Sequence, residues 1–305
     1  MEAGYSVTMT SAELTPQDLR ILLAVAEAGS FTGAGERLDL TQSAVSHAVR
    51  AAERRIGVVL FERGRQGARP TPAGDRAVVH ARQILRQYEL LVAESRGAAA
   101  GTVSGPVRIA AFRSAAVRLL PPALESLTTR HPDLVPQVLI VRELGRGTAG
   151  EVADGRADVA IATLSEQDAP LPGLTVGELL REPYYLVRPK GQTDLSGLPM
   201  IDWAENCSSY TRSWWKRQEW LPRTRIDVAD DGLVLSMVAQ GVGFAVLPRL
   251  TLIDAPSGVE IIPLGPQPPT RRLVSVTTRA TAGAMAVREL IRELRVQGRA
   301  VVSDL

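Results

Sequence analysis

Three helix-start signals lie close together near the N-terminus and confine this part of the chain to three short helices. Thr15 can cap a helix that begins at the following proline, because a hydroxyl oxygen accepts from free first-turn amides and proline suits the first position. Ser30 and Thr41 can cap the next two, expected over residues 31–38 and from about 42 to 55. The third helix should bury one face, consisting of Ala44, Val45, Ala48, Val49 and Ala52. These spacings predict a compact trihelical unit.

A segment rich in glycine and arginine follows the third helix and predicts a β-hairpin, or wing. We expect a short strand over residues 58–61, then a turn and a returning segment within 62–69. The whole chain carries 35 basic and 33 acidic residues, whereas residues 37–69 hold seven arginines against three carboxylates. A small basic unit on a nearly neutral protein indicates a polyanionic partner, and a solvated charged face is the alternative.

A long helix is predicted after the wing, opening at Thr71. Its apolar residues recur at steps of four and three, the 3.5-residue period of a coiled-coil seam. The seam consists of Ala77, Ala81, Ile84, Tyr88 and Leu91, widened by Val78, Leu85 and Val92. We expect this helix to pair with a second copy of the chain, and packing on its own domain is the alternative. The small residues of 97–106 then indicate a hinge.

Strand and helix patterns alternate along the rest of the chain and predict an α/β fold. Expected strands cover residues 107–112, 137–141, 159–162, 200–203, 225–228, 244–247 and 273–278. Expected helices cover residues 115–130, 146–154, 210–220, 231–240 and 282–296. This order implies largely parallel sheets in two Rossmann-like subdomains. The first takes residues 107–183 and 271–305 and the second 184–270, with crossing strands at 184–188 and 271–278.

Several function classes lack their characteristic residues. The chain has no phosphate-loop, nucleophile-elbow or His-Glu-x-x-His motif, which argues against the corresponding enzymes. Three histidines and one cysteine, all scattered, cannot build a zinc finger or a two-histidine metal site, so we expect no cofactor. The uncharged run of residues 232–248 is broken by glycines and too short for a bilayer span, so no membrane association is expected. Residues 1–10 lack signal-peptide character, which favours a cytoplasmic protein over a secreted solute-binding protein.

The chain resembles the LysR-type transcriptional regulators, most closely over residues 19–74. The motifs that carry the resemblance are Glu27-Ala28-Gly29-Ser30-Phe31-Thr32, Thr41-Gln42-Ser43-Ala44-Val45-Ser46, Leu60-Phe61-Glu62-Arg63 and Thr71-Pro72-Ala73-Gly74. Looser similarities include His131-Pro132, Gly155-Arg156-Ala157-Asp158 and Gly241-Val242-Gly243-Phe244. Gly35 departs from the usual alanine and should cost about 1 kcal/mol of helix stability against it.

The resemblance implies a regulator with four parts. These are a winged helix-turn-helix DNA-binding domain at 15–72, a linker dimerisation helix at 73–96, a hinge at 97–106 and an effector-binding domain at 107–305 that resembles periplasmic binding proteins. It implies a homodimer, and a tetramer built from dimers, that presents paired DNA domains to dyad-symmetric double-stranded DNA. A small effector between the two subdomains would modulate promoter binding.

Candidate DNA-contacting residues lie on the third helix, the wing and the start of the second helix. They are Thr32, Gln42, Ser43, Ser46, His47, Arg50, Arg63, Arg65 and Arg69. In the major groove Gln42 can pair with adenine, and Arg50 with guanine or a phosphate. Ser43 and Ser46 can contact DNA, or instead serve as a cap and a solvated residue. The histidine and the wing arginines suit phosphates or the minor groove, and the resemblance implies a DNA-backbone contact for the threonine.

Candidate effector-binding residues follow the carboxyl ends of the predicted strands, where ligands of open α/β sheets bind. They are Arg113, Ser114, Arg142 and Thr163 in the first subdomain, and Cys207, Ser208, Ser209 and Asp230 in the second. The two arginines favour a carboxylate or another anion, and a plain surface position is the alternative. Asp230 can equally cap a helix. Cys207 has no partner cysteine, so a pocket wall is favoured over a redox role.

Overall fold

The computed structural model describes residues 13–64, 67–164, 172–203, 205, 214–222, 224–229 and 231–303. The chain divides into two compact units between Val92 and Ala93. Among the described residues, no helix is both long and apolar enough to cross a bilayer.

Three short helices form the first unit, as predicted: α1 Pro16–Ala28, α2 Phe31–Leu38 and α3 Gln42–Ile56. The Thr15 hydroxyl accepts from the Asp18 amide at 3.2 Å, and the Asp18 carboxylate accepts in return from the Thr15 amide at 2.9 Å. The hydroxyls of Ser30 and Thr41 cap α2 and α3 at 3.0 and 3.2 Å. The three predicted caps are therefore confirmed. The buried core includes Leu22, Val25, Ala34, Val45, Val49 and Ala52.

The buried face of α3 differs from the predicted one at two residues. Ala44 is exposed, because it lies about 100° around the helix from the buried Val45. Ser46 was expected on the polar face but is only 8% exposed, since Arg63 of the wing reaches over it and donates to its hydroxyl at 3.1 Å.

The wing is an antiparallel hairpin of β1 Phe61–Gly64 and β2 Gly67–Pro70. The prediction of a strand over residues 58–61 is wrong in position, because the ladder begins where that range ends. The Glu53 carboxylate accepts from the backbone amides of Leu60 and Phe61 at 2.8 and 3.1 Å. These bonds hold the connection between α3 and β1 in a turn outside the sheet.

Close backbone approach constrains the glycines at positions 35 and 67 of this unit. A Cβ at Gly67 would lie 2.2 Å from the carbonyl oxygen of Gly29, which accepts from the Ala68 amide at 2.7 Å. A Cβ at Gly35 would lie 2.5 Å from the Leu40 carbonyl oxygen. At Gly35, the helix-propensity advantage expected of alanine is therefore opposed by a backbone clash.

The long helix α4, Pro72–Ala100, follows the wing. It continues past the linker helix expected at 73–96 and into the hinge expected at 97–106. Only residues 101–104 separate it from the next strand. Three residues of the predicted seam, Ile84, Tyr88 and Leu91, are exposed by 53%, 49% and 62%. The apolar seam thus remains uncovered along the second half of its length.

The second unit is built from two sheets and surrounding helices. The seven-stranded sheet contains β3 Gly105–Ala111, β4 Leu134–Ile140, β5 Val159–Leu164, β6 Leu174–Pro189, β9 Ala245–Pro248, β10 Val259–Pro263 and β11 Thr270–Thr278. A two-stranded parallel sheet contains β7 Met200–Trp203 and β8 Arg225–Val228. The helices are α5 Arg113–Arg118, α6 Leu120–Arg130, α7 Gly147–Ala153, α8 Asp231–Ala239, α9 Arg249–Leu252 and α10 Met285–Ser303. Residues 214–216 are also helical.

The large sheet is mixed, which corrects the prediction of largely parallel strands. Its order is β10–β6–β11–β5–β3–β4, with β9 also paired to β6. Strand β3 runs parallel to β4 and β5, whereas β11 is antiparallel to both β5 and β6. The first part of β6, residues 174–183, pairs with β11, and residues 184–189 pair with β9 and β10. Strands β3, β4 and β5 with helices α5–α7 form the first half of this unit, and β7–β10 with α8 and α9 form the second half. Strand β6 passes from the first half to the second and β11 returns, so the antiparallel pairs arise at these crossings.

Two further differences concern element bounds. The helix expected over residues 115–130 is two helices, α5 and α6, interrupted at Leu119. Prolines at the start of α6 explain the break, because a proline has no amide hydrogen to continue the preceding helix. Strand β10 and the first part of β6 were not predicted, since their residues mix charged, glycine and apolar types without a clear alternation.

Candidate nucleic-acid interface and ligand cleft

The exposed face of α3 brings four of the predicted residues together. Gln42, Ser43, His47 and Arg50 are exposed along the first turns of the helix. The Ser43 hydroxyl lies 3.0 Å from that of the capping Thr41, which links it to the helix start. The face therefore offers an amide, hydroxyl groups, an imidazole and a guanidinium, the groups that hydrogen-bond base edges and phosphates.

Ser46 and Arg63 contact each other at the base of the wing. The guanidinium donates to the Ser46 hydroxyl at 3.1 Å and lies 4.5 Å from the centroid of the Phe31 ring. This arrangement combines a hydrogen bond with a cation–π contact. Ser46 is thus placed to orient the wing arginine.

The remaining predicted contacts of the first unit are at its surface or outside the described residues. Thr32 is exposed in the first turn of α2. Arg69 is exposed on β2, opposite Glu62 in the hairpin register. Arg65, at the wing tip, lies outside the described residues.

Arg54 is a candidate that the sequence predictions missed. It lies one turn after Arg50, is exposed, and lines an open depression of about 400 Å³ together with Val58 and Val59. Arg55, by contrast, pairs with the Asp18 carboxylate at 2.9 Å. Residues four apart lie on one helix face, so the spacing of the two exposed arginines was the available signal.

In the second unit, Ser114 belongs to a buried polar cluster. Its hydroxyl accepts from Arg271 at 3.4 Å. Arg271 Nε donates to Glu182 Oε1 at 2.6 Å, and Glu182 Oε2 accepts from the Leu250 amide at 2.5 Å. The guanidinium lies 5.2 Å from the Phe112 ring. The cluster joins α5, β6, β9–α9 and β11, and neither charged partner was predicted from the sequence.

The predicted effector arginines lie in different environments. Arg113 is exposed at the first position of α5. Arg142, which follows β4, donates through Nε to Glu205 Oε1 at 2.7 Å and through its terminal nitrogen to the Ala229 carbonyl at 3.0 Å. Glu205 and Ala229 follow β7 and β8. The side chain of Arg142 thus bridges the carboxyl ends of strands from both halves of the unit.

Thr163 lies beside an internal carboxylate that was not predicted. Glu143 Oε1 accepts from the Thr163 amide at 2.8 Å, and Oε2 accepts from the Thr148 amide at 2.9 Å. Burial raises the pKa of Glu143, and these amide donors oppose the rise. The backbone amides at this edge are therefore occupied by the chain's own carboxylate.

The other four effector candidates belong to the second predicted subdomain. Cys207, Ser208, Ser209 and Asp230 lie outside the described residues. Over the part of the chain that the structure covers, no group of histidine, cysteine and acidic side chains is suited to hold a metal ion.

Two protein-family models match the chain. The bacterial regulatory helix-turn-helix protein of the lysR family matches residues 16–75, and the LysR substrate binding domain matches residues 100–299. The first match contains α1–α3 and the wing, and the second contains both sheets of the second unit.

Relatives and solved structures agree with these matches. The probable HTH-type transcriptional regulator LrrA of Synechococcus elongatus is 34% identical over 253 residues, covering 79% of this chain and 83% of its own. The structure of full-length CbnR with its target DNA is similar with a TM-score of 0.65 at 20% identity, covering 93% of this chain and 100% of that one. Full-length LysG from Corynebacterium glutamicum with bound effector Arg gives 0.66 at 21% identity, covering 94% and 99%. The matched proteins are transcription regulators and not enzymes.

Proposed function

The chain belongs to the LysR family of bacterial transcriptional regulators, and we propose that a small anionic effector modulates its binding to dyad-symmetric promoter DNA. The observation that carries the proposal is the exposed polar face of α3 beside an arginine-bearing wing. We assign DNA binding to residues 15–72, pairing to the linker helix and effector binding to residues 107–305.

The geometry of α3 supports insertion of its first turns into the major groove. The side chains of Gln42 and Arg50 are exposed on this helix, and they are the types that pair with adenine and guanine edges. Ser43 and His47 beside them suit bases and phosphates. Because each bidentate base contact discriminates by about 1–3 kcal/mol, these residues account for sequence preference.

The wing supplies positive charge beside α3, the helix proposed to enter the major groove. Arg63, Arg65 and Arg69 are proposed to contact phosphates or the minor groove, and Thr32 the DNA backbone. Ser46 supports this contact indirectly, since its hydroxyl accepts from Arg63. Arg54, on the same side as Arg50, is a further proposed phosphate contact.

The uncovered seam of α4 supports a homodimer. Ile84, Tyr88 and Leu91 are large apolar side chains exposed at coiled-coil spacing, and a second copy of the helix would cover them. Two-fold pairing would present the α3 helix of each copy to one of two DNA half-sites. CbnR, of similar fold, is seen with its target DNA, and a tetramer of two dimers is proposed for this chain by family analogy.

The second unit is proposed to hold the effector between its two halves. Arg113, Arg142 and Thr163 line the first half's strand ends, and residues Cys207, Ser208, Ser209 and Asp230 are proposed to line the second. LysG holds an Arg effector in a chain of similar fold. The arginines favour a carboxylate here, because a guanidinium fork matches its two oxygens. Effector binding would change the angle between the halves and hence the spacing of the paired DNA domains.

Selection of binding sites from a random double-stranded library tests the DNA part of the proposal. The full chain should enrich two inverted half-sites about one helical turn apart. Gln42→Ala should enrich sites with relaxed preference at one base pair of each half-site, while Gln137→Ala, at an exposed position of β4 in the second unit, should enrich the wild-type sites. Failure to enrich any sequence would contradict the proposal.

A further inference from the structure

The contact between Arg142 and Glu205 resembles the recognition of a free carboxylate. Glu205 Oε1 accepts from Arg142 Nε at 2.7 Å, and Oε2 accepts from the Glu143 amide at 3.3 Å. Each carboxylate oxygen thus has its own donor, one a guanidinium and the other a backbone amide. A ligand carboxylate would be held by donors of the same kind.

The place of this contact in the fold is where a ligand would be expected. Arg142 follows β4, Glu205 follows β7, and the Ala229 carbonyl that also accepts from Arg142 follows β8. Each of these strands belongs to a parallel pair, and the carboxyl ends of such strands form the binding edge of open α/β folds. The chain's own carboxylate lies at that edge.

We infer that Glu205 competes with the effector: its carboxylate occupies Arg142 in the effector-free chain, and a carboxylate effector binds there by displacing it. This inference rests on the proposed function, since it assumes an anionic effector between the two halves. It assigns Glu205 a role in specificity, because only a ligand that outcompetes a carboxylate already in place is bound.

The structure also explains why Glu205, and not Glu143, is displaced. Glu143 is held by the amides of Thr148 and Thr163, and all three residues belong to the first half of the unit. Replacing the Glu143 carboxylate with a ligand would therefore break no contact between the two halves. Glu205 comes from the other half. The side chain of Arg142 is 53% exposed and can be reached from solvent. The Glu205 side chain is only 17% exposed, but solvent at the guanidinium screens the pair and makes it weaker than a fully buried one, so a ligand with further contacts can replace it.

The displacement couples ligand binding to the relation between the halves. Arg142 contacts both Glu205 and the Ala229 carbonyl of the second half. When a ligand takes over the guanidinium, the ion pair between the halves is lost and contacts through the ligand replace it. Ligand identity then determines the angle that the two halves adopt.

Carboxylate titration of the full chain tests this inference. The probes are sodium acetate, benzoate and succinate, each exchanged for chloride at constant ionic strength. Tryptophan fluorescence is the signal, because Trp203, Trp214, Trp215 and Trp220 are the only tryptophans and all belong to the second unit. Glu205→Gln removes the competing charge and should lower the half-saturating concentration of at least one probe about fivefold. Arg142→Gln should abolish the response.

Glu178→Gln is the matched control, because it removes the same charge from an exposed ion pair with Arg272 on the sheet. It should titrate as the wild type does. Equal midpoints for wild type and Glu205→Gln, with no response in Arg142→Gln, would overturn the competition and leave the proposed effector site standing. A normal response in Arg142→Gln would overturn the role of Arg142 both in the competition and in the proposed effector site. No response in any variant would contradict an anionic effector, and with it this inference.

Discussion

Replacing Arg271 with methionine should leave the carboxylate of Glu182 buried without its charge partner. The two side chains are 9% and 1% exposed and are joined at 2.6 Å across neighbouring strands. Methionine fills most of the arginine stem but cannot donate a hydrogen bond. The Leu250 amide, which donates to this carboxylate at 2.5 Å, does not carry a charge that could replace the guanidinium.

The expected loss is about 3–5 kcal/mol of unfolding free energy, the usual cost of breaking a buried pair by removing one partner. For a unit of this size that corresponds to a fall in Tm of about 6–20 °C. Urea unfolding followed by tryptophan fluorescence measures it, because the four tryptophans report on the second unit alone. Glu182→Leu in the Arg271→Met background should recover part of the loss, since no buried charge then remains.

Arg272→Met is the matched control. Arg272 is the next residue on the same strand and pairs with Glu178 at 3.2 Å, but the partners are 27% and 47% exposed. Its replacement should cost less than about 1 kcal/mol, because solvent screens the pair. Equal losses for Arg271→Met and Arg272→Met would refute the reasoning from burial.

Three further predictions concern other parts of the molecule. Gly74→Ala should destabilise the first unit by about 1–3 kcal/mol in thermal unfolding followed by circular dichroism, because the new Cβ would lie 2.0 Å from a backbone carbonyl oxygen; an unchanged midpoint would contradict this. Leu91→Glu should lower the solution mass measured by light scattering from dimer towards monomer, while Gln137→Glu, which adds the same charge at an exposed position of β4, should not, and equal masses would exclude pairing through the seam. Hydrogen bonding from Arg130 lowers the pKa of Glu293. The ionised Glu293 carboxylate therefore stabilises the folded chain above the ordinary glutamate pKa, and this stabilisation is lost as pH falls through the lowered value. Glu293→Gln should therefore weaken the decline in unfolding free energy measured on acidification, and an unchanged pH dependence would contradict it.

The sequence predicted best what local chemistry determines. The caps at Thr15, Ser30 and Thr41, the exposed polar residues of α3 and the strands β7 and β8 follow from short-range patterns, and the structure contains them. Ala44 was misassigned because it lies about 100° around α3 from the buried Val45, and Ser46 because its burial depends on Arg63 of the wing, which local periodicity cannot show.

Long-range pairings could not be predicted in this way. Arg271 and Glu182 are 89 positions apart, and Arg142 and Glu205 are 63 apart, so no local pattern relates them. The length of β6 and its antiparallel pairing likewise depend on where the chain crosses between halves. Glu143 was overlooked because its role comes from the amides of residues brought near it by folding.

Fluorescence anisotropy tests the central claim most directly. The full chain is titrated against labelled DNA from upstream of its own gene and against random DNA of equal length, over a series of salt concentrations. Tighter binding to the upstream DNA, weakening steeply with salt, is predicted, because phosphate contacts release counterions. Arg50→Ala should weaken specific binding by about 1–3 kcal/mol while changing random-DNA binding less. Absence of binding to either DNA at low salt would contradict a DNA-binding regulator.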